Sequence, residues 1–333
     1  MQKDKNTKRA PLVSVIIATY NYAQYIEHAI ESIVQQHDVS QQVEIIVVDD
    51  GSTDNTKQLL AHYVNDGIIK YVYQENQGKA AATIRGIGES NGKYIFNLDA
   101  DDYFLAGKIA RTVEVFEEDE SIVHVASPAR FFSEEKNTTA GTEDVPSKIV
   151  ATKINGLDLL KYFYENNIVY GGGSTFAARS SVLKKINIPV EVDMYIDEFL
   201  LLTVLPLGKS YFIQEPLSVW RIHKNNYSCS FNNLEEKLAK SSRLLPASNA
   251  VKKYLEQNKF DQKICNIYRL KDLNRNIAFK ETVGTKKLKD ILSYAREVFF
   301  NIRPDWKMVK KYQVLNRLLP LSIYTLLKKI IVV

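Results

Sequence analysis

Between residues 13 and 99 the sequence alternates short runs of β-branched and aromatic residues with longer stretches of helical periodicity. This alternation is typical of βαβ units and a mostly parallel sheet. It predicts strands at 13–17, 44–48, 68–73 and 94–98, and helices at 23–36, around 59–63 and at 78–89. Ser52 or Thr53 is the expected N-cap of the second helix. We therefore expect an α/β fold with a Rossmann-like, mostly parallel sheet flanked by helices.

Polar residues follow three of these predicted strands at the point where each strand ends. Tyr20 and Asn21 follow the first strand, Asp50 follows the second, and Asp99 follows the fourth. In doubly wound sheets, ligands bind outside the carboxyl ends of the strands. We therefore expect these four side chains to lie near one another at one edge of the sheet.

Residues 97–104, NLDADDYF, place the carboxylates Asp99, Asp101 and Asp102 where the fourth strand must end. Carboxylates this close repel one another unless a cation lies among them, and Mg²⁺ or Mn²⁺ prefers such ligands together with substrate phosphates. The alternative is that Asp101 or Asp102 caps the helix that begins near Lys108, or closes a turn. Taken alone, this stretch leaves both interpretations open.

Composition and charge exclude several classes of function. The 333 residues are 45% hydrophobic and 25% charged, which is ordinary for a globular protein with a sizeable core. The net charge of +5 is too small, and the lysines too evenly spread, to indicate nucleic-acid binding. Because Cys229 and Cys265 have no paired spacing, neither a disulfide framework nor a zinc site is predicted, and a cytoplasmic location is expected.

Two familiar nucleotide-binding motifs are missing from the sequence. No GxGxxG follows the first strand, and GxxxxGK[ST] does not occur, so neither a Rossmann dinucleotide site nor a P-loop is predicted. Any nucleotide is therefore expected to be held by side chains and a metal ion. Residues 1–10 are basic without an apolar run, so we expect a short disordered lead and not a signal peptide or an anchor.

Four segments carry a family resemblance: VSVIIATYNYAQYIEHAIESIVQQ, IIVVDDGSTDNT, ENQGKAAATIRGI and YIFNLDADD. In this order and spacing they resemble the donor-binding half of family 2 inverting glycosyltransferases, which have the GT-A fold. Because four ordered motifs span about ninety residues, the resemblance is specific. It implies a GT-A type sheet and a nucleotide-sugar donor.

The resemblance implies a role for each of the polar residues at the strand ends. Tyr20 would lie on the nucleotide base, and Asp50 would accept a hydrogen bond from the base imide, with Asn21 in the same donor site. Asp99 and Asp101 match the family's D-x-D pair, which contacts the ribose and coordinates the Mn²⁺ or Mg²⁺ ion that bridges the diphosphate. Asp102 is then a supporting carboxylate.

The sequence departs from the family pattern at two places in the donor half. Ala18 stands where the family often has proline or threonine, and Thr83-Ile84 stands where it often has an Arg-Asn pair. A uracil nucleotide is the donor that the pattern implies by default. Lys79 or Arg85 is expected to make the donor contacts of the missing arginine, and the sugar is not identified.

Two later segments also resemble the family. GGGSTFAARSSVLKK, from Gly171, resembles the segment under the acceptor, and YIDEFLLLTVLPLGKSYFIQEPLSVWRIHKNNYS resembles the end of the catalytic domain. The family's catalytic carboxylate then falls on Asp197, with Glu198 as the alternative. Without the resemblance, both carboxylates are equally explained by the start of a helix, whose N-terminus favours negative charge.

His223 and Arg221 lie where the family often folds a loop over the diphosphate. The resemblance makes His223 a candidate metal or phosphate contact, with Arg221 beside it in support. The alternative is that His223 is a polar residue satisfied by its neighbours, since imidazole fills many structural roles.

The expected domain organisation has three parts, of which the disordered lead at residues 1–10 is the first. A glycosyltransferase domain covers residues 11–231, with a nucleotide-sugar half at 11–104 and an acceptor half at 105–231. Residues 232–333 are expected to form a C-terminal helical appendage, with helices at 234–255, 263–279, 286–300 and from Trp306. Pro246, Gly284 and Pro304 are expected to separate the helical stretches.

The end of the chain has a second possible use. The run Leu318 to Leu327 is charge-free but far shorter than the roughly 20 residues of a spanning helix. Basic residues surround it, so it is expected to lie on the inner face of a membrane, where a lipid-linked acceptor would be found. Packing on the protein's own core or on a second subunit is the alternative.

These observations predict a metal-dependent inverting glycosyltransferase that builds a surface polysaccharide or a lipid-linked glycan. A base opposite the leaving group must take the acceptor proton, and a counter-charge must stabilise the departing diphosphate. One alternative is a sugar nucleotidyltransferase, but that class needs a Gly-rich, basic loop after the first strand. The other is a non-catalytic nucleotide-sugar binding protein, which would not need to retain the base and metal ligands.

Overall fold

A computed structural model describes residues 10–36, 42–224, 226, 234–311 and 313–318. The strands are β1 (Val13–Thr19), β2 (Val43–Asp49), β3 (Ile69–Tyr73), β4 (Tyr94–Asp99), β5 (Tyr103–Phe104), β6 (Ile122–Ala126), β7 (Ala129–Ser133), β8 (Thr138–Thr142), β9 (Lys153–Asn155), β10 (Ala177–Arg179), β11 (Lys209–Phe212) and β12 (Ser218–Ile222). The helices are α1 (Ala23–Val34), α2 (Thr56–Asn65), α3 (Lys79–Glu89), α4 (Lys108–Glu118), α5 (Gly156–Asn166), α6 (Ser180–Leu183), α7 (Ile196–Val204), α8 (Leu234–Gln257), α9 (Gln262–Thr282), α10 (Leu288–Arg296), α11 (Trp306–Lys311) and α12 (Val314–Leu318). The alternation of strands and helices predicted from the first hundred residues is confirmed.

The central sheet of the described chain has eight strands in the order β3-β2-β1-β4-β10-β6-β11-β9. Strands β3, β2, β1 and β4 run parallel, and β11 is parallel to β6. The short strand β10 is antiparallel to both of its neighbours, and β9 is antiparallel to β11. The predicted mostly parallel α/β sheet is therefore confirmed.

The register of the parallel strands brings their polar ends together. Thr19, the last residue of β1, pairs with Asp49 of β2, and Ala18 pairs with Asp99 of β4. The residues that follow β1 and β2 therefore start from the same edge as Asp99. This edge is where the sequence predicts a ligand site.

A second sheet positions the residues near the end of the glycosyltransferase-like region. Its strand order is β5-β12-β7-β8, with β12 antiparallel to β5 and parallel to β7. Val219 pairs with Tyr103, so β12 passes directly beside the segment that follows the acidic cluster. Arg221 and His223 are thereby delivered next to Asp101 and Asp102.

The central strands are buried on both faces because helices cover both. On one face, Val15 of β1 belongs to the same apolar cluster as Ile26 of α1. On the other face, Ile46 and Val48 of β2 pack with Ala82 of α3. Near-continuous apolar runs are what parallel strands covered on both faces require.

The position of α3 depends on a glycine. A Cβ atom at Gly86 would clash with Cγ2 of Ile16, so only glycine lets α3 approach β1 this closely. The N-terminus of α3 at Lys79 is thereby held beside the end of the sheet. A side chain at residue 86 would push this helix away from the strand.

Two local predictions are wrong, and one alternative interpretation is excluded. Helix α2 begins at Thr56 with Asn55 at its N-cap, not at Ser52 or Thr53, because Asn21 Oδ1 accepts hydrogen bonds from the Thr53 and Asp54 backbone N–H groups and holds that segment outside the helix. Pro246 does not separate helices but lies inside α8. Asp101 and Asp102 do not cap α4, whose N-cap is Gly107.

The chain divides into two compact units. The sheet unit comprises Met1–Leu159, Tyr170–Val190 and Ile196–Cys229, and the helical unit comprises Leu160–Val169, Glu191–Tyr195 and Ser230–Val333. Within the helical unit, α8 and α9 contact each other, and Asp261 caps α9 by accepting hydrogen bonds from the backbone of Lys263 and Ile264. The domain and half-domain boundaries at residues 104 and 231 stay predictions.

The C-terminal run from Leu318 to Leu327 lies outside the described residues apart from Leu318 itself. Of the helices in the described ranges, none combines the length and the apolar character that a membrane span needs.

Candidate functional site

The carboxylates predicted as metal contact and as base are joined by one lysine. Asp99 is the last residue of β4, Asp197 lies in the first turn of α7, and Lys79 is the first residue of α3. Lys79 Nζ lies 2.9 Å from Asp99 Oδ1 and 2.8 Å from Asp197 Oδ2. The sequence predictions for all three residues therefore converge on one place. Glu198, the alternative base, lies beside Asp197 in the same helical turn.

The charges of this trio stabilise one another. Burial alone would lower the pKa of Lys79, but Asp197 and Asp99 raise that pKa above its ordinary value. Burial raises the pKa of the Asp197 carboxyl, Lys79 lowers it, and Asp99 raises it. The lysine is therefore the group that favours the ionised form of Asp197.

Asp101 has a separate set of partners. Its Oδ2 lies 3.1 Å from His223 Nε2 and accepts a hydrogen bond of 3.2 Å from Asn226 Nδ2. The His223 side chain is fully buried, and its ring lies 4.6 Å from the ring of Tyr25. Burial, followed by repulsion from Asp99, raises the pKa of Asp101, and His223 opposes this shift. A cation near Asp101 would stabilise its carboxylate.

Asp102 connects two segments of the site from its buried position. Its Oδ2 accepts a hydrogen bond of 2.5 Å from Ser174 Oγ, and its Oδ1 accepts one of 3.0 Å from the Arg221 backbone N–H. Burial, with Asp101 and Asp99 adding repulsion, raises the pKa of Asp102 well above its usual range. Asp102 therefore holds neighbouring segments in place, as its predicted supporting role requires.

Arg221 is engaged through several of its groups. Its Nε donates to the backbone oxygen of Asp101 at 2.9 Å, and its Nη2 lies 2.7 Å from His28 Nδ1. The guanidinium carbon also lies 5.0 Å from the centre of the Tyr25 ring and 5.5 Å from that of Tyr103. Arg221 thus supports the acidic loop through its backbone and its aromatic neighbours.

The glycine-rich segment from Gly171 lies against the Asp99 and Asp197 carboxylates. Gly173 has a φ of +52°, and a Cβ atom there would lie 3.5 Å from Asp99 Oδ2 and 4.0 Å from Asp197 Oδ2. The segment therefore faces these carboxylates with backbone and without a side chain. This leaves space between the predicted donor and base residues.

Two buried bases hold the glycine-rich segment from beneath. Lys108 Nζ donates to the Thr175 carbonyl at 3.1 Å, and His124 Nε2 lies 3.0 Å from the Gly171 carbonyl. Burial lowers the pKa of Lys108 to about 7 and that of His124 to about 4. The neutral imidazole therefore donates from Nε2 to the carbonyl, and its Nδ1 accepts from Ser210 Oγ at 2.8 Å.

On the donor side, Asp50 organises the loop before α3. Its Oδ1 accepts hydrogen bonds from Gln74 Nε2 at 2.7 Å and from the Gln77 backbone N–H at 2.9 Å, and its Oδ2 accepts from the Gly78 backbone N–H at 2.8 Å. The carboxylate is buried, and its lone pairs already hold this loop. Its predicted contact with a base imide stays a prediction.

Tyr20 and Asn21 follow β1 at the same edge. The Tyr20 side chain is 45% exposed, so its ring is open to a ligand. Asn21 adopts a positive φ of 58°, and its Oδ1 accepts from the Thr53 backbone N–H at 2.7 Å. Its backbone N–H donates to Ser52 Oγ at 2.9 Å. Asn21 therefore shapes the loop after β2.

Arg85 does not contact Asp99 or Asp197. Its guanidinium pairs with Glu89 at 2.9 Å, one turn further along α3, and the side chain is mostly exposed. Of the two cations predicted to replace the missing arginine, Lys79 is the one that contacts Asp99 and Asp197.

Sequence reasoning missed several residues that hold the site. Ser174 Oγ accepts from the Asp99 backbone N–H at 3.1 Å while it donates to Asp102 Oδ2, so one hydroxyl links the end of β4 to the Asp102 carboxylate. Asn226 and Lys108 were also missed. The run of three glycines at Gly171 was the available signal for Ser174, whereas the roles of Asn226 and Lys108 depend on contacts distant in sequence.

Asp99 and Asp101 are the predicted metal ligands of this site. In the part of the chain that the structure describes, no group of three or more His, Cys, Asp and Glu side chains converges to hold a metal ion. The oxygen donors on Asp99 and Asp101 suit Mg²⁺ or Mn²⁺, for which one or two carboxylates plus substrate phosphates form a usual ligand set. Any such ion is expected to depend on phosphate for the rest of its coordination.

An α/β fold with this arrangement of carboxylates is that of a GT-A glycosyltransferase, and comparison with solved structures supports the fold. Staphylococcus aureus TarS, residues 1–349, in complex with UDP-GlcNAc superposes with a TM-score of 0.56 at 16% identity, covering 90% of this chain and 89% of that chain. The mannosyltransferase PcManGT from Pyrobaculum calidifontis, in complex with GDP-Man and Mn²⁺, gives 0.56 at 17% identity, covering 93% and 87%. At these identities the likeness shows the fold.

The chain belongs to glycosyl transferase family 2, whose family model matches residues 14–186. An uncharacterized glycosyltransferase from Nostoc sp. is 30% identical over 284 residues, which cover 81% of each protein. The membership of family 2 that the four motifs predicted is therefore confirmed, and so is the prediction that the chain is a glycosyltransferase. The sugar nucleotidyltransferase alternative gains no support.

Proposed function

We propose that this protein is a metal-dependent inverting glycosyltransferase that moves a sugar from a UDP-linked donor to a hydroxyl group of a glycan or lipid-linked acceptor. The product would enter surface polysaccharide synthesis. Asp197 is the proposed base, and Tyr20, Asn21, Asp50, Lys79 and Asp99 are the proposed donor contacts.

One observation carries this proposal: Lys79 bridges the Asp99 and Asp197 carboxylates at 2.9 and 2.8 Å. A base must lie within hydrogen-bond reach of the hydroxyl it deprotonates, close to the carbon that is attacked. Because the three side chains remain 22–30% exposed, a ligand can reach them. Their contact supports placing acceptor activation beside donor binding.

The residues present fit a divalent metal. Asp99 and Asp101 supply hard oxygen ligands, and burial followed by repulsion from Asp99 raises the pKa of Asp101, so a cation there would be favourable. When bound, the metal would supply counter-charge for the leaving diphosphate. His223 bonds Asp101 Oδ2, so it orients that carboxylate, and its own contact with metal or phosphate stays a prediction.

The reaction itself needs few groups from the chain. Asp197 accepts the proton of the acceptor hydroxyl as that oxygen bonds to the anomeric carbon, and the bond from that carbon to the nucleoside diphosphate breaks. Attack from the face opposite the leaving group inverts the configuration, and no covalent enzyme intermediate is needed. Lys79 favours the ionised base, while the Gly173 backbone leaves room for the acceptor.

The ligands named for the two solved structures support a nucleotide-sugar donor, since one holds UDP-GlcNAc and the other GDP-Man with Mn²⁺. They differ in nucleotide, so the choice of UDP rests on the sequence resemblance.

The test is release of nucleoside diphosphate from a panel of UDP- and GDP-hexoses, with and without Mn²⁺, in the presence of glycan and lipid-linked acceptors. The proposal predicts metal-dependent release in the wild type from at least one UDP-hexose and almost none in Asp197→Asn. The matched control Asp144→Asn changes an exposed aspartate and should retain full activity. Metal-dependent UDP binding without turnover of any donor would instead favour the non-catalytic binding protein.

A further inference from the structure

The segment from Leu288 to Ile302 carries apolar side chains beyond those its own packing uses. Helix α10 continues into a π-helical turn, Glu297–Ile302. Tyr294, Val298 and Ile302 are buried, and the Tyr294 hydroxyl donates to Asn274 Oδ1 at 2.8 Å. This buried set, spaced at every fourth residue, accounts for the attachment of the segment to the helical unit.

A second apolar set, on the same stretch and at Trp306 just after it, faces solvent. Leu288 is 70% exposed, Leu292 61%, Phe299 50%, Phe300 69% and Trp306 70%. Single exposed apolar residues are normal, but five large ones within residues 288–306 are a concentration of exposed apolar side chains of the kind found at interaction sites. We call these five residues the apolar patch. Because core packing already uses the buried set, it does not explain this one.

Basic residues accompany the apolar patch. Residues 286–311 contain eight lysines and arginines against three carboxylates. Two of those carboxylates, Asp290 and Glu297, are already paired with Lys280 and Arg269 of α9. The exposed cations in this stretch are Lys287, Lys289, Arg296, Arg303, Lys307, Lys310 and Lys311. The surface is therefore both apolar and strongly positive.

We propose that the apolar patch docks on a bilayer that contains anionic lipid. A helical surface with Leu, Phe and Trp on one side and Lys and Arg at its edges lies in the interface of a bilayer, where acyl chains bury the apolar groups and headgroups meet the cations. This places the membrane contact upstream of the predicted run at Leu318–Leu327. The proposed lipid-linked acceptor would give this docking a use, but the docking requires neither donor nor turnover.

Charge disfavours the other two occupants. A symmetric pair of chains would bring one basic surface against its identical copy, which costs free energy through like-charge repulsion. The chain's own residues 319–333 contain two lysines and no carboxylate, so they offer no opposite charge either. An anionic lipid surface supplies both the apolar and the negative complement.

The experiment is co-sedimentation of the full chain with vesicles of phosphatidylcholine alone or mixed with phosphatidylglycerol. One variant combines Leu292→Ser, Phe300→Ser and Trp306→Ser, and a second combines Lys307→Glu, Lys310→Glu and Lys311→Glu. The matched control, Val64→Ser with Ile68→Ser, removes exposed apolar groups from the sheet unit. Circular dichroism and thermal melting check that each variant is folded.

The wild type and the control should bind the mixed vesicles, with binding that weakens as salt is raised. Each patch variant should bind at least about tenfold more weakly, since the apolar side chains each add burial and the charges each add attraction. No wild-type binding at low salt, or equal binding by all forms, would overturn the proposal. Two further results would also overturn it. One is a wild-type dimer, seen by analytical ultracentrifugation, that the apolar variant fails to form. The other is normal vesicle binding by both patch variants together with loss of binding in a chain shortened to end at Leu318. Donor binding, measured separately, would still stand or fail by itself.

Discussion

Lys79 Nζ lies 2.8 Å from Asp197 Oδ2, although 118 residues separate the two along the chain. The same ammonium group contacts Asp99 at 2.9 Å, so the proposed base and the proposed donor site share one cation. A ligand that places metal or phosphate near Asp99 must therefore change the surroundings of Lys79 and, through it, of Asp197. The proposed roles of Asp99 and Asp197 therefore predict that donor binding and acceptor activation are coupled through Lys79.

Replacing Lys79 by methionine should slow turnover and move its pH dependence. Burial raises the pKa of Asp197 and Lys79 lowers it, so losing the lysine raises that pKa further. A base works only when deprotonated, so the acid limb of kcat/KM should shift to higher pH, and kcat should fall by roughly 10²-fold as the base loses its partner. Lys79→Arg should restore part of the rate, and Lys57→Met, on an exposed lysine, should change nothing. An unshifted acid limb in Lys79→Met would contradict the coupling.

Asp197→Asn keeps the size of the side chain but cannot accept the hydroxyl proton. Turnover should fall by roughly 10²–10⁴-fold, the usual contribution of a positioned base, while the Kd for donor stays within a few-fold of wild type. Steady-state kinetics and calorimetric donor titration measure the two separately. If Glu198→Gln shows the larger loss and Asp197→Asn is nearly normal, the base is Glu198.

Ser174→Ala should weaken both stability and donor binding. The buried hydroxyl is shared between the Asp99 backbone N–H and Asp102 Oδ2, so its removal leaves two buried polar groups without this partner. The free energy of unfolding should fall by about 1–3 kcal/mol. Urea unfolding measures this loss, with Ser147→Ala on the surface as the control. A stability loss no larger than that of the control would show that the link from the Asp99 backbone through Ser174 to Asp102 does not stabilise the fold.

Lys108→Met should change how stability depends on pH. Burial lowers the pKa of Lys108 from 10.5 to about 7, so between these values the unfolded chain binds a proton that the folded chain does not. The contribution of Lys108 to the free energy of unfolding therefore rises with pH across this window and is lost as pH falls through it. As pH falls from about 9.5 to about 7.5, the wild type loses this contribution and the variant does not. The free energy of unfolding of Lys108→Met, relative to that of the wild type, should therefore rise by on the order of 1–3 kcal/mol.

Urea unfolding of Lys108→Met and wild type at both pH values gives this difference, with Lys57→Met as the exposed control. A difference between the two proteins that is the same at both pH values would mean that Lys108 stays charged in the fold.

The sheet and its acidic edge could be predicted because both are local in sequence. The residues from Tyr94 to Leu98 are buried, and an apolar run of this kind has to end where a polar residue can meet solvent or ligand. Asp99, which was predicted to follow a strand at 94–98, is the last residue of β4, so the prediction was within one residue. The predicted start of α2 was wrong because Asn21, more than thirty residues earlier, holds the backbone of Thr53 and Asp54 outside the helix.

The partners within the site could not be predicted in the same way. Lys79 and Arg85 were equal candidates in sequence, and six residues along a helix point them in very different directions. Which direction faces the site depends on how α3 packs, and that packing depends on Gly86 meeting Ile16. The contacts of Ser174 and Asn226 join positions more than seventy residues apart, which no periodicity reveals.

The most direct test of the account is the thermal melting of Asp101→Ala beside wild type, with UDP and Mn²⁺ added singly and together. A ligand that binds only the folded state raises Tm, by roughly 3–8 °C when it is about 100-fold above its Kd. Asp66→Ala, an exposed aspartate, is the control. The account predicts a large rise with UDP and Mn²⁺ together in wild type and control, and almost none in Asp101→Ala. An equal rise in Asp101→Ala, or a full rise with UDP alone, would contradict a metal-dependent donor site at this acidic cluster.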